Sequence, residues 1–177
     1  MRKYTLLQIF LFSGTCTLAA FIEADAQGTS SPQTPAESPD AAFVQQAGQG
    51  GMAEVELSKL AADSAKSPQV REFAQQMIRD HTANNKQLAL IATHENIQLP
   101  KVLDGGHANL RDKLQAEHGG DFDHDYVDVM RADHEKMAAL LRSSAATVST
   151  EELRSFIKTT LPVVEAHLRM AQDLKVN

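Results

Sequence analysis

Histidine and carboxylate recur in this chain at spacings that can build a cation site. The stretch MIRDHTANNKQL (residues 77–88) returns in outline as MRADHEKMAALL (residues 130–141), so M-x-x-D-H-x6-L occurs twice. Each copy sets a histidine, His81 or His134, on an apolar stripe that steps alternately by four and three residues, which is one face of a helix. Two further stripes carry Glu54 and His167. Ionisable groups in apolar seams need partners, because burying an unpaired charge costs on the order of several kcal/mol. Three neutral imidazoles and a carboxylate meet that need together by holding a transition metal such as Fe, Mn, Zn or Cu, for which both are good donors. Without a metal, the same groups would form a buried His–Glu hydrogen-bond network sensitive to mild acid.

The stripes define the elements that must position these residues. Segment A starts after Asp40, read as its N-cap, runs to about residue 65 and carries Phe43, Ala47, Gly50, Glu54, Leu57 and Ala61 on one face. Segment B opens at Ser67-Pro68, cap plus Pro at the first helical position, and runs to about residue 96 with Met77, His81 and Leu88 on its stripe. Segment C covers residues 121–147 with Tyr126, Met130, His134 and Leu141, and segment D opens on a capping box, Ser149-x-x-Glu152, with Ile157, Val164 and His167. Pro100, Gly105-Gly106 and Gly119-Gly120 mark the B–C connection, which holds a short helix near residues 108–117. The expected fold is all-α, a four-helix bundle with a short extra helix in the B–C connection. Glu54, His81, His134 and His167 each fall near the middle of a segment, so helices of similar length bring them to one layer.

Adjacent helical residues point about 100° apart, so Asp80 and Asp133 flank the seam. They either orient a neighbouring histidine through its other ring nitrogen or stand as ordinary solvated charges. Phe122-Asp123-x-x-Tyr126 opens segment C, and Asp123 and Tyr126 join the two aspartates as residues expected to support the layer, Tyr126 through packing and one hydrogen bond. His94, His107, His118 and His124 lie at a helix end, in the connection or at the mouth of C and read as solvated. Gly50 and Gly51, a turn before Glu54, are expected to allow close helix approach or room for a ligand.

The N-terminus reads as a secretory signal over residues 1–26: Arg2 and Lys3, an apolar run interrupted by Ser, Gly and Thr, then Ala24-Asp25-Ala26. No stable membrane span is expected after cleavage. A Ser-, Thr-, Pro- and Gln-rich leader covers residues 27–39, and the bundle domain residues 40–177. Cys16, the single cysteine, lies inside the signal and matches a lipoprotein box poorly. The mature chain therefore has no thiol, which excludes disulfides, thiolate ligands and cysteine nucleophiles. The formal net charge is −6 and no basic run occurs, which argues against nucleic acid and anionic membrane surfaces as partners. No phosphate loop, nucleophile elbow or H-E-x-x-H specifies a reaction.

The run from FVQQAGQGGMAEVELSKLAADSAKSPQVREFAQQMIRDH onward, with FDHDYVDVMRADH and LPVVEAHLRMAQDL after it, closely resembles a bacterial family of secreted proteins of unknown function, DUF4142, labelled predicted outer-membrane proteins and placed near the ferritin-like bundles. The resemblance spans residues 43–174. It implies a ferritin-like four-helix domain in the periplasm or associated with the outer membrane, and its motif residues include Glu54, Asp80, His81, Phe122, Asp123, Tyr126, His134 and His167. Di-iron members of the wider fold carry Glu-x-x-His motifs. Here Ile78, Arg131 and Val164 stand three residues before the histidines, so a mononuclear site is the expectation. The rival expectations are a structural or stress-related envelope protein with a metal-free core, and a module binding a small ligand or partner.

Overall fold

In the computed structural model, residues 38–176 are described; the expected signal sequence, residues 1–26, and nearly all of the expected leader lie outside them. Five helices follow in order: α1 (Pro39–Ser64), α2 (Pro68–His94), α3 (Gly105–Ala116), α4 (Gly119–Ser144) and α5 (Glu151–Asp173). The fold is the all-α four-helix bundle with one short extra helix in the α2–α4 connection. The four long helices have 26, 27, 26 and 23 residues, roughly 35–40 Å each at about 1.5 Å per residue. That similarity of length lets their midpoints share a level. Among the described residues no helix is long and apolar enough to cross a membrane.

Two start signals act differently from expectation. Ser38 caps α1, its side chain accepting from the Ala41 amide, and Pro39 takes the first helical position, so the cap lies two residues before Asp40. Asp40 is free of the capping role and instead accepts from the backbone amide of Ser149 at 2.7 Å and from its hydroxyl. The capping box is displaced accordingly, since Ser149 is engaged by Asp40 and Thr150 caps α5 through the Leu153 amide. At the opposite end of the bundle, Asp123 accepts from the amides of Lys66 and Ser67 at 2.8 and 2.7 Å, pinning the start of α4 to the α1–α2 link.

These two carboxylate clamps fix the helix directions. The start of α4 sits at the C-terminal end of α1, and the start of α5 sits at its N-terminal end. Since α1 packs on α2 and α4, and α5 on the same two, every neighbouring pair is antiparallel and α2 and α4, on a diagonal, run parallel. The α2–α4 connection must therefore travel the length of the bundle. Along that path α3 lies against α1 and α4. Asn96, with φ 55°, turns the chain out of α2 in the left-handed conformation that Asn tolerates.

The core is in two pieces. One, near the Asp123 clamp, contains Leu57, Met77, Phe122, Tyr126 and Met130. The other, near the Asp40 clamp, contains Phe43, Leu88, Leu141, Phe156 and Val164. Between them lies a buried polar layer.

Candidate metal centre

Each long helix contributes one member of that layer: Glu54 from α1, His81 from α2, His134 from α4 and His167 from α5. All four are at most 3% exposed. The three imidazoles form a nearly equilateral triangle, with ring centroids 5.3 Å (His81–His134), 5.2 Å (His81–His167) and 5.5 Å (His134–His167) apart. One ring nitrogen of each lies within 4.8 Å of one ring nitrogen of the others.

The remaining nitrogens are occupied, and this fixes the tautomers that chemistry allows. His134 Nδ1 is 2.8 Å from the Met130 carbonyl, an acceptor only, so Nδ1 carries hydrogen and Nε2 presents a lone pair. That Nε2 is buried with no hydrogen-bond partner. His167 Nε2 is 2.9 Å from Asp80 Oδ2, which leaves its Nδ1 facing inward. His81 Nδ1 is 2.8 Å from Glu54 Oε2, which leaves its Nε2 at 3.2 Å from His167 Nδ1. Two nitrogens each about 2.0–2.1 Å from one ion lie roughly 3.3–3.6 Å apart at trigonal to tetrahedral angles, so 3.2 Å is close to a ligand edge.

Glu54 stands beside the triangle. Its Oε2 holds the 2.8 Å contact with His81 Nδ1, while its Oε1 lies 3.5 Å from His134 Nδ1 without a hydrogen-bond partner. Burial alone would raise its pKa, but the three histidines, His81 foremost, overcome this and lower the carboxyl to about 2. Burial pulls His81 down, yet the Glu54 carboxylate outweighs it and the pKa ends raised. His134 and His167 are lowered, in both cases chiefly by burial. The layer thus combines an anionic Glu54, a histidine that favours a proton and two that resist one.

The four residues expected to support the layer divide sharply. Asp80 bonds His167 as described. Asp123 makes its hydrogen bonds to backbone amides at the α1–α2 link. Tyr126, fully buried, pairs with the Ser58 hydroxyl at 2.8 Å, and burial raises its pKa. Asp133 pairs with Lys136 at 3.1 Å while its Oδ2 is buried without a partner. Arg131, where a di-iron motif would need Glu, binds the Ala171 and Leu174 carbonyls and so closes the end of α5. Of the histidines expected to be solvated, His107 is half-buried, 2.7 Å from Asp104. Gly51 permits the close approach of α2, because a Cβ there would meet Asn85 Oδ1 at 2.0 Å.

The Met130 carbonyl escaped the sequence reading, since any helical histidine can turn to the carbonyl four residues back. A second group, His94, Glu95 and Glu152, gathers at the exposed end of α2. Its members lie 3.5–3.6 Å from the His94 ring nitrogen in loose surface ion pairs.

Residues 25–174 match the family model described as a domain of unknown function, DUF4142. No curated protein matches the chain. Among solved structures, a candidate secreted DUF305 protein of Streptomyces coelicolor is 17% identical with a TM-score of 0.66, covering 78% of this chain and 91% of its own. A DUF305 fragment from Deinococcus radiodurans is 13% identical with a TM-score of 0.68, covering 80% and 96%. CopM in its Cu(II)-bound form is 15% identical with a TM-score of 0.63, covering 75% and 93%. At these identities the likeness is one of fold.

Proposed function

We propose that this chain, which belongs to the DUF4142 family, is a secreted cell-envelope protein that binds one transition-metal ion through His81 Nε2, His134 Nε2 and His167 Nδ1. The observation that carries the reading is the commitment of each imidazole's other nitrogen to an acceptor, which aims three lone pairs at a common point in a buried layer. Glu54, the Met130 carbonyl and Asp80 then act as outer partners that fix the rings and raise their basicity. Glu54 moves from the ligand set to this outer role because its oxygens meet the imidazoles' outer nitrogens. An all-imidazole set without thiolate suits copper, zinc, iron or nickel. Copper is supported further by the Cu(II)-bound and Ag-bound CopM structures, which share the bundle fold. Secretion is supported by the basic, apolar and A-x-A pattern of residues 1–26, and residues 40–177 form the domain that does the binding.

Elemental analysis of mature protein purified without chelator should find about one transition-metal ion per chain, a single three-ligand site being all the layer provides. His81→Leu should abolish it. Protein that remains metal-free after incubation with copper, zinc, iron and nickel salts sinks the reading.

A second reading draws on the 3.2 Å contact between His81 Nε2 and His167 Nδ1. With His81 protonated, that contact is itself a hydrogen bond, and Asp80, His167, His81 and Glu54 form a continuous chain needing no ion. On this reading the layer specifies the bundle's register and the protein is structural. The same elemental analysis separates the two.

A further inference from the structure

Between α1, α3 and α4 a cleft of about 240 Å³ opens to solvent. Its lining runs from Asp104, the N-cap of α3, and His107 on α3, through Asp133 and Met137 on α4, to Glu54 of the buried layer. Two of its carboxylates have no business in an ordinary surface groove. Asp133 is 9% exposed and its Oδ2 has no hydrogen-bond partner, while Glu54 is 1% exposed, its Oε2 2.8 Å from His81 Nδ1 and its Oε1 with nothing nearer than His134 Nδ1 at 3.5 Å. Leaving buried carboxylate oxygens unsatisfied is costly, and a cation is what such atoms are suited to receive. A second, small space of about 20 Å³ is lined by His81, and Glu54 and Met137 line both it and the cleft. The Met137 methyl carbon lies against Gly50, where a Cβ would come within 2.6 Å of it.

We propose that this cleft is the entry route for the metal ion, with Asp133 as the first buried carboxylate that a hydrated cation meets and Glu54 as the relay that passes it to the histidines. The proposal rests on the metal-binding reading above. Lys136, whose side chain is 76% exposed, holds Asp133 Oδ1 at 3.1 Å and supplies the countercharge that an arriving cation displaces. Carboxylates along a low-dielectric cleft concentrate cations and speed their entry, an effect that salt weakens.

The test is the rate at which the mature, metal-stripped protein takes up cobalt(II), followed by stopped-flow absorbance of the imidazole-ligated ion, with the final occupancy measured separately. Asp133→Asn should slow loading by about tenfold, the lower end of electrostatic rate effects, with occupancy unchanged. Lys136→Gln, a surface change that spares the fold, should accelerate loading severalfold, and both differences should shrink as salt is added. Wild-type loading rates in both variants overturn the route and leave the histidine site standing. A fall in final occupancy for Asp133→Asn also overturns it, since Asp133 would then belong to the bound state. A wild-type protein that takes up neither cobalt(II) nor copper, zinc, iron or nickel overturns the route and the site together.

Discussion

In α2, Asp80 reaches across to α5 and accepts from His167 at 2.9 Å, while the neighbouring His81 turns toward Glu54 at 2.8 Å. In α4, Asp133 faces the cleft and meets Lys136, while the neighbouring His134 bonds a carbonyl of its own helix and holds Glu54 at 3.5 Å. The two segments share M-x-x-D-H-x6-L, yet one aspartate orients a histidine and the other is left with an unsatisfied oxygen. The histidines diverge too, His81 raised by its carboxylate neighbour and His134 lowered by burial. The shared M-x-x-D-H-x6-L frame therefore gives different chemistry because its surroundings differ: Asp80 points to α5, while Asp133 points to the cleft beside α3 and has Lys136 where the first copy has Ala83.

The most severe way to break this contrast is Glu54→Gln. It removes what distinguishes the two histidines, so His81 should join His134 below the ordinary value of 6.5. Urea unfolding at neutral pH should show a loss of about 3 kcal/mol, the low end for severing a buried pair, because His81 can shed its proton. An unchanged unfolding midpoint with unchanged imidazole titrations by NMR would remove Glu54 from the account.

The aspartates themselves give the next largest difference. Asp80→Asn should weaken metal affinity about 10-fold or more, as lost carboxylate support for a ligating histidine does. Asp133→Asn should leave the equilibrium affinity at the wild-type value. Calorimetric titration that returned equal losses for both would erase the distinction between them.

Acid should sharpen it as well, in metal-free protein. His134 and His167 have lowered pKa values, so the unfolded chain takes up protons first and stability falls as pH drops below the ordinary 6.5. His81 acts in the opposite sense: its contribution is complete below 6.5 and is lost as pH rises through its raised pKa. The carboxyl of Glu54 adds a further decline between its ordinary 4.5 and about 2. Thermal melts across that span should show two steps, with the lower one missing in Glu54→Gln; a single step shared by both proteins would contradict the assignment.

The helices and the layer were legible in the sequence because both depend on periodicity. Glu54, His81, His134 and His167 lie on four-and-three stripes near the middles of segments of similar length, and a bundle of such segments leaves one level at which they can meet. The start signals were half legible. Ser149 and Asp40 each look like a cap, yet they bind one another, since a polar side chain at a helix start serves whichever amide the neighbouring loop brings near. Tyr126 packs and makes one hydrogen bond as its position on the stripe suggested, but that the partner is Ser58, and that Asp123 reaches the α1–α2 link, depends on the neighbouring helix and loop.

By itself, then, the sequence determined which residues enter the interior, through the 3.6-residue period and the high cost of burying charge without partners. Only the tertiary structure decided which nitrogen of each ring faces inward, which aspartate reaches a histidine and where solvent approaches the layer. Those depend on contacts between residues far apart in the chain, such as Asp80 with His167, and on the path of α3 over α1 and α4, and neither leaves a periodic trace in the sequence.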